Sequence, residues 1–184
     1  MIGAAAPSSF RAGHERHWAR TGWDMSDRIE FRSHVLKKHR VALEGLLFFN
    51  SCQARVASCI ADAVEMFGSP EIVPEGTDRL RVRIDGMQEA QALFAVEAGT
   101  ERPVGVALYI RPDLEHITVL HLSIAAEYAS GGPRSDEQLL LRLLREVRRS
   151  TRRMKGVRRL ELYYARGRAP MTRWRSEAKE LAAS

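Results

Sequence analysis

The pattern of hydrophobic and polar residues divides the second half of the chain into strand, turn, strand, loop, helix and strand. Two runs rich in β-branched and apolar residues, PVGVALYI (Pro103–Ile110) and HITVLHLSI (His116–Ile124), are separated by the turn residues RPDLE. Such runs between turn residues indicate buried strands. After a loop with Gly131–Gly132, leucines recur at helical spacing, and VRRLELYY (Val157–Tyr164) follows. A strand joined through a helix to another strand predicts a parallel crossover.

The first half of the chain contains one long helical region between residues 39 and 68. Asn50–Ser51 compete for backbone hydrogen bonds, which predicts a break there between two helices. Gly68–Pro70 ends the second helix. An apolar stripe on this helix is expected to pack in the core; it consists of Val56, Ile60, Val64 and Phe67, with Cys52, Cys59 and Ala63 beside it. Phe48–Phe49 would shape a pocket if they lie at the break.

Short alternating segments complete the predicted sheet. RIEFRS (Arg28–Ser33) is expected to be the first strand, and RLRVRI (Arg79–Ile84) alternates with its apolar residues facing inward. Ser69–Thr77 contains two prolines and is expected to be a loop. Asp85–Gly86 is a hairpin signal that leads into the return strand Ala92–Ala98. The strands near 80, 94, 106 and 120 are therefore predicted as an antiparallel meander. The fold class is α/β, with a mixed, mostly antiparallel sheet, a βαβ crossover and flanking helices.

Composition and charge fit one globular domain. The 184 residues are 45% hydrophobic and 28% charged, and no apolar run approaches the roughly 20 residues that cross a bilayer. Residues 1–24 are small, polar and basic, and are expected to be a flexible extension. The domain is expected at 25–168, with a tail or short helix at 169–184. Cys52 and Cys59 have no nearby ligand pair, so they predict buried thiols in a reducing cytoplasm and not a zinc site.

The segment ITVLHLSIAAEYASGG resembles the GNAT superfamily, the acetyl-CoA-dependent N-acetyltransferases. In that family the fourth strand ends in a segment like V-x-P-E-Y-R-G-x-G-x-G, and a helix begins at once. The residues that fall on this pattern are Ile124, Glu127, Tyr128 and Gly132. The resemblance covers about residues 28–164. It implies a GNAT-like fold, acyl transfer from acetyl-CoA to an unidentified amine, and no metal. Acyl-CoA and the amine would be the partners, and since GNAT-like domains often pair, a homodimer is possible.

The resemblance also implies where acyl-CoA binds and which side chains catalyse. Loop N–H groups and the next helix N-terminus would hold the pyrophosphate; the loop residues are Ser130, Gly131, Gly132 and Arg134. The backbone of Ile124 and Ala125 would pair with the pantetheine arm. Tyr164 or Tyr163 would protonate the leaving thiolate. The base candidates are Glu127, His121 and Glu115.

Each catalytic candidate has a structural alternative. His121 could be a hydrogen-bonded structural residue, Tyr163 and Tyr164 could be packing residues, and Glu127 could pair with Arg134. His121 and Ser123 are expected to share one strand face with Val119 and Ala125, and that face is either core or the acceptor cleft.

The loop departs from the family pattern. Ala129 stands where the family usually has Arg or Gln, and Pro133 removes a backbone donor. Asp136 or Ser135 is expected to cap the next helix, with Gly156 at its end. An Asp in that place competes with a bound phosphate. These departures keep open a non-catalytic GNAT-like module that serves as a binding or dimerisation surface.

A net charge of +6 allows a nucleic-acid partner. Basic residues follow the predicted crossover helix into the last strand: Arg142, Arg145, Arg148, Arg149, Arg152, Arg153, Lys155, Arg158 and Arg159. A helix face this basic could track phosphates, but aromatic interleaving is absent. The favoured interpretation is a solvated helix face.

Overall fold

A computed structural model describes residues 29–87 and 89–163. Eight strands lie within these residues: β1 Ile29–Arg32, β2 Val35–Leu36, β3 Pro70–Glu75, β4 Arg79–Ile84, β5 Gln91–Glu97, β6 Pro103–Ile110, β7 His116–Ile124 and β8 Arg159–Leu162. The α-helices of this part of the chain are α1 Arg40–Phe48, α2 Ala57–Phe67 and α3 Leu139–Thr151. A 3₁₀ segment, Ser51–Val56, joins α1 to α2. The predicted helix break at Asn50–Ser51 is therefore confirmed.

The main sheet has five strands in the order β1-β5-β6-β7-β8. β7 and β8 are parallel, with His116 opposite Arg159 and Val119 opposite Leu162, and α3 connects them. The other neighbours in this sheet are antiparallel. The fold is thus a mixed, mostly antiparallel α/β sheet with a βαβ crossover and flanking helices, as the sequence predicts.

Helices cover both faces of the main sheet. On one face, Leu139, Leu143 and Val147 of α3 pack in a core with residues of β5, β6 and β7. On the other face, Leu43, Leu46 and Leu47 of α1 pack against Phe94, Val106 and Leu108. β6 is buried along its whole length. Its uninterrupted apolar sequence is explained by this burial, because both faces of the strand need apolar side chains.

The predicted meander is wrong at its first strand. β4 does not pair with β5; it is the centre of a second sheet with the order β2-β4-β3. Gly86 does form a turn, with φ of +75° and a single bridge from Ile84 to Met87, but the chain then crosses to the main sheet. The expected loop Ser69–Thr77 is also wrong, because β3 pairs with β4 along Pro70–Glu75. β3 is an edge strand, where proline is tolerated.

The ends of α3 also differ from the prediction. The helix begins at Leu139 after Gln138, which has a left-handed φ of +49° and makes no side-chain cap. Asp136 and Ser135 instead lie in a separate 3₁₀ turn, Ser135–Glu137. Gly156 has a φ of +93°, but α3 has already ended at Thr151, so this glycine belongs to the following turn. The expected burial of the thiols is wrong too, since Cys52 is exposed and Cys59 is only half-buried.

Candidate functional site

A β-bulge in β7 decides where His121 lies. The pairing with β6 places Leu108 opposite His121 but Tyr109 opposite Val119, so Leu120 is the extra residue. A bulge of one residue reverses the alternation of side chains. Val119 packs with the α3 core, whereas Leu120 and His121 both lie on the α1–α2 side of the sheet. The prediction that Val119 shares a face with His121 is therefore wrong.

A cavity of about 390 Å³ lies on this side of the sheet, between the α1–α2 region and strands of both sheets. Its apolar lining includes Leu47, Phe48, Ile60, Val64, Phe67 and Leu120, and its polar lining includes Asn50, Gln53 and His121. The sequence predicts the stripe on α2 as core. Phe67 is buried, but Ile60 and Val64 are only half-buried and line the cavity. Phe48 lines it as suggested, while Phe49 is 81% exposed and does not.

His121 is a buried, uncharged side chain in the cavity wall. Burial lowers the pKa of its imidazole to about 4, although a hydrogen bond with the backbone of Leu46 acts in the opposite direction. Its Nε2 lies 3.1 Å from Nε2 of Gln53. Because an amide nitrogen can only donate, His121 Nε2 is the acceptor and the ring proton resides on Nδ1. The Nε2 lone pair of His121 thus accepts the hydrogen bond from Gln53.

Asn50 connects the cavity with the edge of β7. Its Nδ2 donates to Ser123 Oγ at 2.6 Å and to the Ile124 carbonyl at 2.7 Å, while its Oδ1 accepts from the Cys52 N–H at 3.0 Å. Within the described residues, β8 pairs with β7 only from His116 to Val119. Among the residues that the structure describes, no strand pairs with the remainder of β7 towards Ile124 on the side away from β6, and we call this stretch beside Asn50 the open edge.

Alternation along β7 determines which backbone groups face this open edge. The Ala125 N–H donates to the Val104 carbonyl at 2.8 Å and therefore points towards β6. The N–H groups of Leu122 and Ile124 point the other way. Of the two residues expected to pair with a pantetheine arm, Ile124 thus presents its N–H to the open edge, whereas the Ala125 N–H is already bonded.

A buried carboxylate holds the loop that comes after β7. Glu97 accepts hydrogen bonds from Arg102 Nε at 3.2 Å and Nη2 at 3.1 Å, from Tyr128 Oη at 3.1 Å and from Arg134 Nη1 at 3.0 Å. Burial raises the pKa of Glu97, but hydrogen bonds from Arg102, Thr100 and Tyr128 outweigh it and lower the pKa overall. Burial, followed by the charge of Glu97, raises the pKa of Tyr128. Glu97 is therefore the ionised centre of this group, which we call the Glu97 cluster.

The cluster includes two of the predicted site residues. The Glu127 carboxylate pairs with Arg102 at 2.6 Å, and its backbone carbonyl accepts from the Arg134 N–H. Arg134 lies over the Tyr128 ring, 4.5 Å from its centroid, and also donates to Glu137 at 2.6 Å. The structure therefore brings Glu127 and Arg134 together around Glu97, on a different part of the molecule from the cavity that contains His121.

Several loop amides are bonded within the loop itself. The Gly132 N–H donates to the Ala129 carbonyl and the Arg134 N–H to the Glu127 carbonyl, both at 2.8 Å. A Cβ on Gly132 would lie 2.5 Å from the Glu127 carbonyl oxygen, so only glycine fits. A phosphate cradle needs outward-pointing N–H groups. Ser130 and Gly131 are the exposed members of the predicted set.

Two of the remaining catalytic candidates, Tyr163 and Glu115, are described and do not line the cavity. Tyr163 packs edge-on against Phe67, with ring centroids 5.5 Å apart. Burial, with smaller contributions from Asp62 and Cys59, raises the pKa of Tyr163. Tyr164 lies outside the described residues. Glu115 immediately precedes β7, 3.5 Å from Arg158, at the opposite end of the strand from the open edge.

The basic residues of α3 and β8 are mostly exposed. Four of them pair with acidic neighbours at 3.5–3.7 Å: Arg142 with Glu137, Arg149 with Glu146, Arg158 with Glu115 and Arg159 with Glu161. This distribution fits a solvated face. Among the described residues, no three His, Cys, Asp or Glu side chains are grouped so that they could hold a metal ion. No described helix is both long and apolar enough to span a bilayer.

The sequence does not predict Asn50, Gln53, Glu97 and Arg102 as parts of a site. It identifies Asn50 only as a helix breaker, and the Asn50 side chain does cap the 3₁₀ segment. Gln53 has no sequence signal, because its importance depends on the strand bulge, and the partners of Glu97 depend on the pairing of β5 with β6. A glutamate in the otherwise apolar strand ALFAVEA is the one irregularity that draws attention to Glu97.

Comparison with known proteins finds one distant structural likeness. No family model matches the chain, and no curated protein matches it. Among solved structures, the chain is similar to a protein from Desulfovibrio desulfuricans that is assigned to the GNAT family of acetyltransferases. The two are 24% identical over 72% of this chain and 71% of that chain, with a TM-score of 0.39. Any functional conclusion therefore rests on the residues of this chain.

Proposed function

We propose that the protein transfers an acyl group from acyl-CoA to the nitrogen of an amine. The observation that carries this proposal is the position of Asn50, which lines the cavity and also donates to the Ile124 carbonyl beside the open edge of β7. An amine in the cavity and an acyl-thioester arm along that edge would meet near Asn50, Ser123 and His121. Holding two reactants side by side supplies much of the catalysis in such transfers.

In this reaction the amine nitrogen attacks the thioester carbonyl carbon. A C–N bond forms, the C–S bond breaks, and coenzyme A leaves as a thiolate. The nitrogen loses one proton and the thiolate gains one. His121, which is uncharged, would accept the first proton at Nε2, where the amine would replace the N–H of Gln53. Tyr163, next to the end of β8, or Tyr164 would supply the second.

Acyl-CoA would be held by two parts of the crossover. The N–H groups of Leu122 and Ile124 would bond the pantetheine arm, as a further strand bonds a sheet edge. The pyrophosphate would lie by the exposed Ser130–Gly131 segment and the N-terminus of α3. The first backbone N–H to bond in the helical pattern is that of Arg142, which donates to Gln138. The N–H groups of residues 139–141 therefore lie before the first helical hydrogen bond, where an anion can be bound.

One observation favours a second candidate, a non-catalytic module that binds a small ligand in the cavity. Gly132 and Arg134 use their N–H groups inside the loop, and the Arg134 side chain faces Glu97. These bonds would have to be exchanged before either residue could contact a phosphate. In this alternative the cavity would be retained and acyl-CoA would not bind.

Thermal melting with coenzyme A and acetyl-CoA separates the two candidates. A ligand at 100 times its dissociation constant adds about 2.7 kcal/mol to the free energy of unfolding, which is a clear shift in Tm. Ser130→Glu should weaken the shift, because it places a carboxylate in the loop without altering a packed residue. The matched control is Gln91→Glu, also exposed, where β5 begins at the opposite end of the sheet.

Release of free thiol from acetyl-CoA in the presence of an amine then tests transfer itself. No Tm shift up to millimolar coenzyme A would reject acyl transfer. Equal shifts in Ser130→Glu and Gln91→Glu would show that the ligand does not use the loop.

A further inference from the structure

The cavity beside His121 has no charged side chain in its described lining. Its surface is aliphatic and aromatic, with Phe48 and Phe67 among its walls, and its polar groups are the neutral Asn50, Gln53 and Ser69 together with His121. The charged side chains of the Glu97 cluster do not contribute to it. A ligand that fills this volume therefore meets apolar surface and a few uncharged hydrogen-bonding groups.

This lining discriminates against cations. An ammonium group transferred from water into apolar surroundings loses its hydration, and the loss is recovered only if a carboxylate or several acceptors replace the water. The described lining has no carboxylate; its side-chain acceptors are all neutral, namely His121 Nε2, to which Gln53 already donates, and the oxygens of Gln53, Asn50 and Ser69. An uncharged nitrogen with its own N–H and lone pair can instead hydrogen-bond with Gln53, Asn50 or His121 at little desolvation cost.

We propose that the cavity selects an uncharged, weakly basic aromatic amine and excludes alkylammonium ions. The identification of the ligand as an amine rests on the proposed acyl transfer. An aromatic ring suits the walls formed by Phe48 and Phe67, as ring pairs attract edge to face or offset. Such an amine enters with its lone pair free, so no base has to remove a proton before the nitrogen attacks. His121 need only accept the proton that the nitrogen loses afterwards.

Two isomeric amines test this inference without acyl-CoA. 4-Ethylaniline and 2-phenylethylamine contain the same atoms, but at neutral pH the first is uncharged and the second is a cation. Isothermal titration calorimetry on the full chain should show the aniline binding at least about tenfold more tightly, because the desolvation of the ammonium is uncompensated. Equal affinities, tighter binding of the cation, or no binding of either amine at millimolar concentration would overturn the inference.

Gln53→Glu should reverse the preference. The change is nearly isosteric and places a carboxylate beside His121, so the cation should bind more tightly than in the unmodified protein and the aniline more weakly. NMR titration should also show the His121 pKa rising. The control is Ser58→Glu, which adds the same charge at an exposed position of α2 outside the cavity lining. An unchanged preference in Gln53→Glu would place the ligand elsewhere and overturn the inference.

Thiol release separates this inference from the proposed function. If 4-ethylaniline binds with the expected preference but releases no thiol from acetyl-CoA, the acyl transfer is rejected and the ligand class of the cavity is supported. If thiol is released with 2-phenylethylamine and not with 4-ethylaniline, acyl transfer is supported and the inferred substrate class is overturned.

Discussion

Arg102 makes two hydrogen bonds to the carboxylate of Glu97, from Nε at 3.2 Å and from Nη2 at 3.1 Å, and so fixes that buried charge near the end of β5. The same guanidinium reaches Glu127 in the loop after β7 at 2.6 Å. One arginine therefore joins the β5–β6 connection to the loop in which acyl-CoA is proposed to bind. The loop is held in place by charge pairing rather than by apolar packing alone.

Glu97→Gln should lower the free energy of unfolding by about 2 kcal/mol, because Arg102 and Arg134 each lose a charged hydrogen bond to a buried carboxylate, although Arg102 keeps Glu127 and Arg134 keeps Glu137. Arg102 and Arg134 would both lose their shared carboxylate. Urea denaturation at neutral pH measures the change. In the control Glu75→Gln, which removes an exposed pair with Arg81, the loss should stay within about 0.5 kcal/mol. Equal losses in the two variants would show that the cluster contributes nothing specific.

Gly132→Ala should destabilise the protein by about 2 kcal/mol or more, because the new Cβ must displace backbone. It would lie 2.5 Å from the Glu127 carbonyl oxygen and 2.6 Å from that of Ala126. Gly45→Ala is the matched control, since a Cβ at this position in α1 meets no atom within 4 Å. That change should be neutral or stabilise by up to about 1 kcal/mol. Thermal melting compares the two, and a harmless Gly132→Ala would contradict the observed loop conformation.

The elements that the sequence predicts correctly are those in which local pattern and tertiary environment agree. β6 and β7 have the predicted bounds because each is an apolar run between turn residues. β4 alternates as expected, with Leu80, Val82 and Ile84 buried. The strands that pair with β4 could not be predicted in the same way. The turn at Asp85–Gly86 is real, but whether the strands on either side of a turn pair depends on what else covers their edges.

The site was harder to predict because two non-local features create it. The bulge at Leu120 rotates His121 to the side of the cavity, and no periodicity reveals a bulge in a continuous apolar run. The cavity itself is lined by residues of the segment between α1 and α2 together with Ile60 and Val64 and residues of several strands, which only the tertiary fold brings together. In contrast, the loop glycines belong to a local motif that the sequence reveals. Gly132 is indeed required by the close approach of the Glu127 carbonyl.

Asn50 has two functions that substitutions can separate. Asn50→Asp keeps the oxygen that accepts from the Cys52 N–H but loses the donor to Ser123 and Ile124. Asn50→Ala loses both. We expect the hydrogen bonds from Asn50 to Ser123 and Ile124 to stabilise the protein more than the bond that Asn50 accepts from Cys52. Asn50→Asp should then lower the free energy of unfolding by about 2 kcal/mol, close to the loss in Asn50→Ala, because a carboxylate would face the Ile124 carbonyl. Chemical denaturation measures both variants. An Asn50→Asp protein as stable as the unmodified one would mean that only the cap matters.

The pH dependence of stability tests the state of His121. Its pKa is about 4 in the folded protein, below the ordinary value of 6.5, so between these values the unfolded chain binds more protons. Stability therefore rises with pH across this window and is lost as the pH falls from about 6.5 towards 4. From pH 7 to pH 5 the loss should be about 2 kcal/mol. Glu97, whose pKa is lowered, loses its contribution to stability only at more acidic pH. The change in stability between pH 7 and pH 5 therefore comes mainly from histidine.

His121→Gln removes this titration and should flatten the profile between pH 7 and pH 5. Burial also lowers the pKa of His34, so the slope of either protein alone includes that residue. The difference between the two profiles, measured by urea denaturation at matched pH values, isolates His121. Parallel profiles would mean that His121 is as easily protonated in the folded protein as in the unfolded chain. The cavity wall would then carry a charge at mildly acidic pH, and an uncharged ligand would have no advantage there.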